Sequence, residues 1–187
     1  MKGKFLFTLA ALLALALAVS GAITVRADSG PATYVFLVGT DFLCDLAPDA
    51  CPNVAMASNG DTIEISGSGT FSIHPDSVSG GGTFTHKDAD GNVLGSGTWT
   101  ATELLSFHSY GSAVVQGLPP EFTGGKVWMR VHLSPAAGGP GFDAILRITC
   151  VLGDKIPASA EEGVRLNLLG PINFHQEVSG LTLFIRQ

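Results

Sequence analysis

The sequence predicts one all-β domain, an antiparallel, meander-rich β-barrel with a β-sandwich as the alternative, preceded by a signal-peptide helix. Three observations carry this. Apolar and polar residues alternate with period 2 over most of the chain, the pattern of strands with one buried face. The pentad Gly-x-Gly-Thr-aromatic occurs at residues 67–71, 80–84 and 95–99, at steps of 13 and 15 residues, about one strand and one turn each. Glycine and proline punctuate the segments, with 24 glycines and 10 prolines in 187 residues, and almost no helical periodicity lies between them.

The first residues are set apart from this pattern. Lys2 and Lys4 precede an apolar run at 5–19, which is about 15 residues and short of the ~20 that a membrane span needs. Val25-Arg26-Ala27 fits the small-x-small rule for cleavage, with Ser20-Gly21-Ala22 as a second choice. Residues 1–27 therefore read as a secretory signal peptide and 28–187 as the domain, an uncleaved anchor being the alternative. No later segment reaches span length, so no transmembrane span is expected after cleavage. The expected destination is extracytoplasmic: periplasm, cell surface or medium.

The strands follow in order. Residues 33–39 form an apolar strand, and the cysteine loop comes next. Residues 61–73 alternate, with Ile63, Ile65 and Phe71 on one face, and stop at His74-Pro75 because proline cannot continue a central ladder. The segments 81–87 and 95–102 are the next two strands. Residues 104–111 and 112–118 lead to the break at Pro119-Pro120. Residues 126–133 alternate most clearly, and 142–153 are more continuously apolar, as suits a strand covered on both faces. Residues 164–170, 172–178 and 181–187 complete the set. Only 159–166 hints at a helix, with Ser159 as cap and Glu162 three residues on, and Gly163 stops it at once. The repeated pentads suggest an aromatic row of Phe71, Phe84 and Trp99 on one face.

Charge and cysteine limit the chemistry. Net charge is −6, and removal of 1–27 takes away basic residues only, making the domain more acidic. That excludes nucleic acid as a ready partner. Cys44 and Cys51 enclose a turn-rich loop and are the disulfide candidate; Cys150 is then a buried free thiol, or else pairs with one of them. The absence of a CxxC motif argues against a zinc ribbon or a thioredoxin-type site.

Candidate chemistry lies in three places. Asp88, Asp90 and Asn92 have the opening spacing of a calcium loop, but Val93 and Trp99 stand where that loop needs glycine and a bidentate glutamate. The segment reads as a hairpin turn, with a metal site there only as the weak alternative. Trp128, Arg130 and His132 share one face of their strand, opposite Val127, Met129, Val131 and Leu133. A stacking surface, a guanidinium and an imidazole in a row suit a ligand pocket. His108 and Tyr110, beside Glu103 and Ser106, are the remaining pocket candidates. Ser106 and His108 are two apart on a strand, too far for a nucleophile and its base, and no GxSxG elbow exists. No phosphate loop occurs and no cofactor is expected. The five histidines, His74, His86, His108, His132 and His175, fall near strand ends and could converge on a metal only in space.

The run 59–110, with its repeated pentads, resembles small uncharacterised exported bacterial all-β proteins. The glycine-kinked meander is broadly similar to allene oxide cyclase and dirigent-type barrels in architecture, but no catalytic motif of either is matched, so no residue role carries over. The expected function is a binding or structural module for a small ligand or surface partner, the alternatives being a barrel-type enzyme with a pocket and a metal-binding protein. No catalytic set is recognisable.

Overall fold

Alternation becomes two faces. In the strand Phe122–Pro135, Val127, Met129 and Val131 are fully buried while Lys126, Trp128, Arg130 and His132 are half-exposed on the other side. The computed structural model describes residues 30–170 and 172–187; the expected signal peptide and its cleavage site lie outside them. Among the described residues there are ten strands: β1 (Ala32–Val38), β2 (Asn53–Ala57), β3 (Thr62–Ile73), β4 (Ser77–Lys87), β5 (Val93–Ser112), β6 (Phe122–Pro135), β7 (Phe142–Cys150), β8 (Gly163–Leu168), β9 (Asn173–Ser179) and β10 (Thr182–Arg186). The strand pairings among the described residues are antiparallel and belong to one sheet, so the chain is all-β as expected. Residues Pro31–Gln187 form one compact unit.

Two strands, β3 and β6, organise the sheet because each changes partner along one edge. The first part of β3 pairs with β2 and its last part, from Gly67, with β1. Phe122 and Thr123 of β6 pair with β10, and Gly125 onward with β7. Their other edges meet β4 and β5. The pairings therefore close twice, once as β3-β4-β5-β6-β7-β8-β9-β2 and once as β3-β4-β5-β6-β10-β1. The six-strand circuit is filled by aromatic side chains: Tyr34, Phe71, Phe107 and Phe184 meet with centroids 4.8 to 5.7 Å apart. Each such contact is worth roughly 0.5–1.5 kcal/mol beyond burial.

The pentads have a different use from the expected aromatic row. Phe71, Phe84 and Trp99 are all buried, but no ring contact joins them. Antiparallel pairing staggers them, with Trp99 opposite Gly82, Phe84 opposite Gly97 and Phe71 opposite Val78. The rings occupy space that glycine leaves on neighbouring strands. A Cβ at Gly97 would come within 2.9 Å of Phe84, one at Gly67 within 2.7 Å of Trp99, and one at Gly69 within 2.7 Å of Phe36. The Trp99 indole also donates to Ser66 O at 3.1 Å. The glycines thus let large rings pack close to the backbone.

Other local expectations are corrected. The strand segments from 95 to 112 fuse into the 20-residue β5, which has register shifts that bend it along β6. Residues Ala113–Gln116 form a 3₁₀ turn in place of an extended segment leading to Pro119; Ser112 caps it and Gly117, at φ +76°, ends it. Residues 159–162 make no helix. Glu162 instead accepts from Val151 N at 2.6 Å and from Thr182 N and Oγ1 at 2.8 and 2.7 Å, pinning the 151–162 connection to the start of β10. β7 is covered on both faces only at its end, since Arg147 and Ile145 are half-exposed on its outer side. Cys44 and Cys51 form the disulfide, and Cys150 is a buried free thiol. Among the described residues no helix is long and apolar enough to cross a membrane.

Candidate functional site

The eight-strand circuit turns four of its hairpins toward one end: those between β2 and β3, β4 and β5, β6 and β7, and β8 and β9. A cavity of about 680 Å³ lies at that end, lined from every strand between β3 and β9 and from the β6–β7 and β8–β9 turns. This volume is in the range that encloses a small organic ligand. Alternation explains the lining. The inward positions that form the core farther along each strand emerge at the mouth as Ile63, Phe84, Leu133 and Phe174. The rim is apolar as well. Val93, Leu94 and Phe142 line the cavity and are 60%, 58% and 45% exposed, an arrangement that costs solubility unless something covers it.

Polar groups in the lining are few. His86 and Ser96 are its polar side chains. His86 is fixed on two sides: Nε2 lies 3.1 Å from Asp61 Oδ2, and the ring meets Phe174 edge-on at 5.3 Å. Asp61 sits in the β2–β3 turn, where its carbonyl accepts from Ala57 N and its amide donates to Asn59 Oδ1. An ionised Asp61 can only accept, so Nε2 carries the hydrogen and Nδ1 is left as the acceptor of a neutral ring. Lys87, the nearest lysine in sequence, is engaged by Glu64 at 2.5 Å. The mouth is thus an apolar cavity with one oriented imidazole.

The residues singled out from sequence lie elsewhere. Trp128, Arg130 and His132 are on the outer face of β6, away from the core, and none lines the mouth. Arg130 pairs with Glu103 at 3.0 Å and His132 with Asp143 at 2.9 Å, both in exposed positions across neighbouring strands. Trp128 lies under the Arg147 guanidinium, 5.8 Å from its centroid. His108 rests edge-on against Tyr110 at 5.7 Å. Tyr110 is buried beneath the 151–162 connection, whose Lys155 N donates to its carbonyl at 2.8 Å, and burial raises its phenol above the ordinary value. Tyr110, Arg147 and Thr149 flank a cavity of only about 50 Å³ there, close to the size of one or two waters.

Asp88 is spent on its own turn. Its Oδ1 accepts from the amides of Asp90 and Asn92 at 3.0 and 2.8 Å, and its Oδ2 from Asn92 Nδ2 at 2.9 Å. Those bonds, the Asn92 side chain first, hold its carboxyl below the usual value. The hairpin needs no cation to close. Among the described residues no group of three or more His, Cys, Asp or Glu is placed to hold a metal, and the five histidines do not converge. The second ionic feature is a charge chain on the outer face: Arg147 with Glu177, Glu177 with Arg165 at 2.7 Å, and Arg165 with Glu161 at 2.9 Å.

Sequence reasoning named His86 only as one of five histidines and did not find the mouth. One signal was present: Val93-Leu94 directly follows a hairpin turn, putting two adjacent apolar residues at a strand start where one must face outward. Comparison with known proteins finds no matching family model, no matching curated protein and no matching solved structure.

Proposed function

We propose that this chain is an exported binding module that takes an apolar small molecule into the hairpin-ringed mouth. The observation that carries the reading is the apolar cavity of about 680 Å³ with an exposed apolar rim at Val93, Leu94 and Phe142. Binding an apolar ligand there removes rim and lining from water at roughly 25 cal/mol per Å² of apolar surface, before ordering costs. The Cys44–Cys51 disulfide suits an oxidising compartment outside the cytoplasm. A binding role needs no catalytic group, and a net charge of −6 makes a polyanion such as nucleic acid a poor partner.

The experiment is a fluorescence titration with Nile red. A saturable, one-to-one enhancement is expected. Leu94→Asp combined with Phe142→Asp, at two exposed positions, should weaken it at least tenfold while the circular dichroism spectrum is unchanged. Enhancement that does not saturate, or that ignores both substitutions, would overturn the reading.

A further inference from the structure

An apolar cavity alone does not choose among apolar molecules. His86 supplies a choice. It is the titratable side chain of the lining, its Nε2 is committed to Asp61 at 3.1 Å, and Phe174 holds the ring plane from the side. A histidine fixed in this way presents Nδ1 as its remaining hydrogen-bonding atom. In an apolar setting a polar group without a partner is costly, so a ligand that offers one hydrogen-bonding group to Nδ1 is favoured over one that buries the imidazole against hydrocarbon.

The charge around His86 decides what kind of group. Asp61 lies on the other side of the same ring, and Lys87 is already taken by Glu64. A carboxylate head would sit one imidazole away from the Asp61 carboxylate with no free lysine beside it in sequence. Like charges at that separation repel. A hydroxyl meets no such penalty. It donates to a neutral Nδ1, and it can accept if the ring is protonated.

We propose that the mouth selects apolar molecules carrying a single neutral hydroxyl, and that His86, oriented by Asp61, recognises that hydroxyl. This rests on the binding reading above and adds to it a ligand class and a recognition residue. The bland role for the same pair is a staple between β4 and the β2–β3 turn, so the test must read ligand chemistry and not stability alone.

Decan-1-ol, undecane and decanoate are used as competitors against Nile red, with wild type and His86→Leu in parallel. On His86→Leu, decan-1-ol is expected to lose about tenfold in affinity, while undecane binds as well as before or better. On wild type, decanoate is expected to compete less well than decan-1-ol. If the alcohol and the hydrocarbon shift equally on His86→Leu, His86 is only part of the wall and the proposal fails. If decanoate competes better than decan-1-ol, the head group is anionic and the proposal fails in favour of fatty acids. Failure of all probes, Nile red included, instead refutes the binding reading itself. Should His86→Leu not fold, the wild-type protein still decides the matter: the ¹⁵N resonance of His86 Nδ1 must move on addition of decan-1-ol and stay in place with undecane.

Discussion

Glu177 carries the largest single-residue prediction. It lies between two guanidiniums, ion-paired with Arg147 through Oε1 and accepting a hydrogen bond from Arg165 through Oε2, and its side chain is only 5% exposed. Arg147 is 13% exposed and directly opposite Arg165 across the β7–β8 ladder. Burial first, and Arg165 second, push Arg147 down to about 10, still charged at neutral pH. Glu177→Gln removes the carboxylate that both guanidiniums face. Breaking a buried pair from one side costs about 3–5 kcal/mol, because the partner is left buried and unpaired. Arg165 is a third exposed and keeps Glu161, so the cost should fall near the lower end, about 3 kcal/mol. With a urea m-value of about 2 kcal/mol/M, the unfolding midpoint moves down by about 1.5 M. Tryptophan fluorescence reports it, since Trp128 stacks on Arg147. The double variant Arg147→Met/Glu177→Leu removes both desolvation costs and should recover to within about 1 kcal/mol of wild type. A loss below about 1 kcal/mol for Glu177→Gln, or a double variant no better than the sum of its parts, would refute this account.

Three further outcomes are expected. Replacing Cys44 and Cys51 with serine opens a loop of sequence separation 7 and should cost about 2.5 kcal/mol by chain entropy, read as a urea midpoint shift under non-reducing conditions. Cys150 is buried and its thiol is pushed well up by that burial, so Ellman's reagent should find no reactive thiol in the native protein and one after denaturation with the disulfide intact; native reactivity would contradict the packing. Burial raises Glu162 above its ordinary 4.5, outweighing the bonds from Val151 and Thr182. The folded state then holds that proton more tightly than the unfolded one, so its contribution to stability falls as pH rises from about 4.5 through the raised value. Glu162→Gln should flatten that slope in urea midpoints measured from pH 4 to 8; an unchanged slope would assign it to another group.

Much of the fold was legible because alternation is a local signal. The pattern at 126–133 became the buried row Val127, Met129, Val131 and Leu133 without alteration. β2 was missed because Asn53–Ala57 is only five residues, two of them alanine, and it is a strand only because β3 and β9 flank it. The 113–116 turn was missed because Ala-Val-Val carries strand propensity, which Ser112 and Gly117 override from either end. The site was less legible for a physical reason. A mouth is assembled from the ends of many strands, each contributing ordinary apolar residues, and nothing local distinguishes Leu133 in the cavity lining from Val131 in the core. Trp128, Arg130 and His132 attracted notice because they share a polar face, but a polar face opposite a core strip is also what a well-partnered outer surface looks like. Arg147 was hidden inside an apolar run that suggested cover on both sides.

The join between the first and last strands bears on how the chain can acquire its structure. β1 lies between β3 and β10, and the final residue, through Gln187 N to Thr33 O at 2.9 Å, is bonded beside the start of β1. During synthesis, β1 leaves the ribosome first of these strands and waits with one edge bare until β10, the last of them, has emerged. The six-strand circuit, and the aromatic plug inside it, therefore cannot be completed before β10 is clear of the ribosome. A stop codon placed just before β10 would leave a bare strand edge on β1 that invites pairing between molecules.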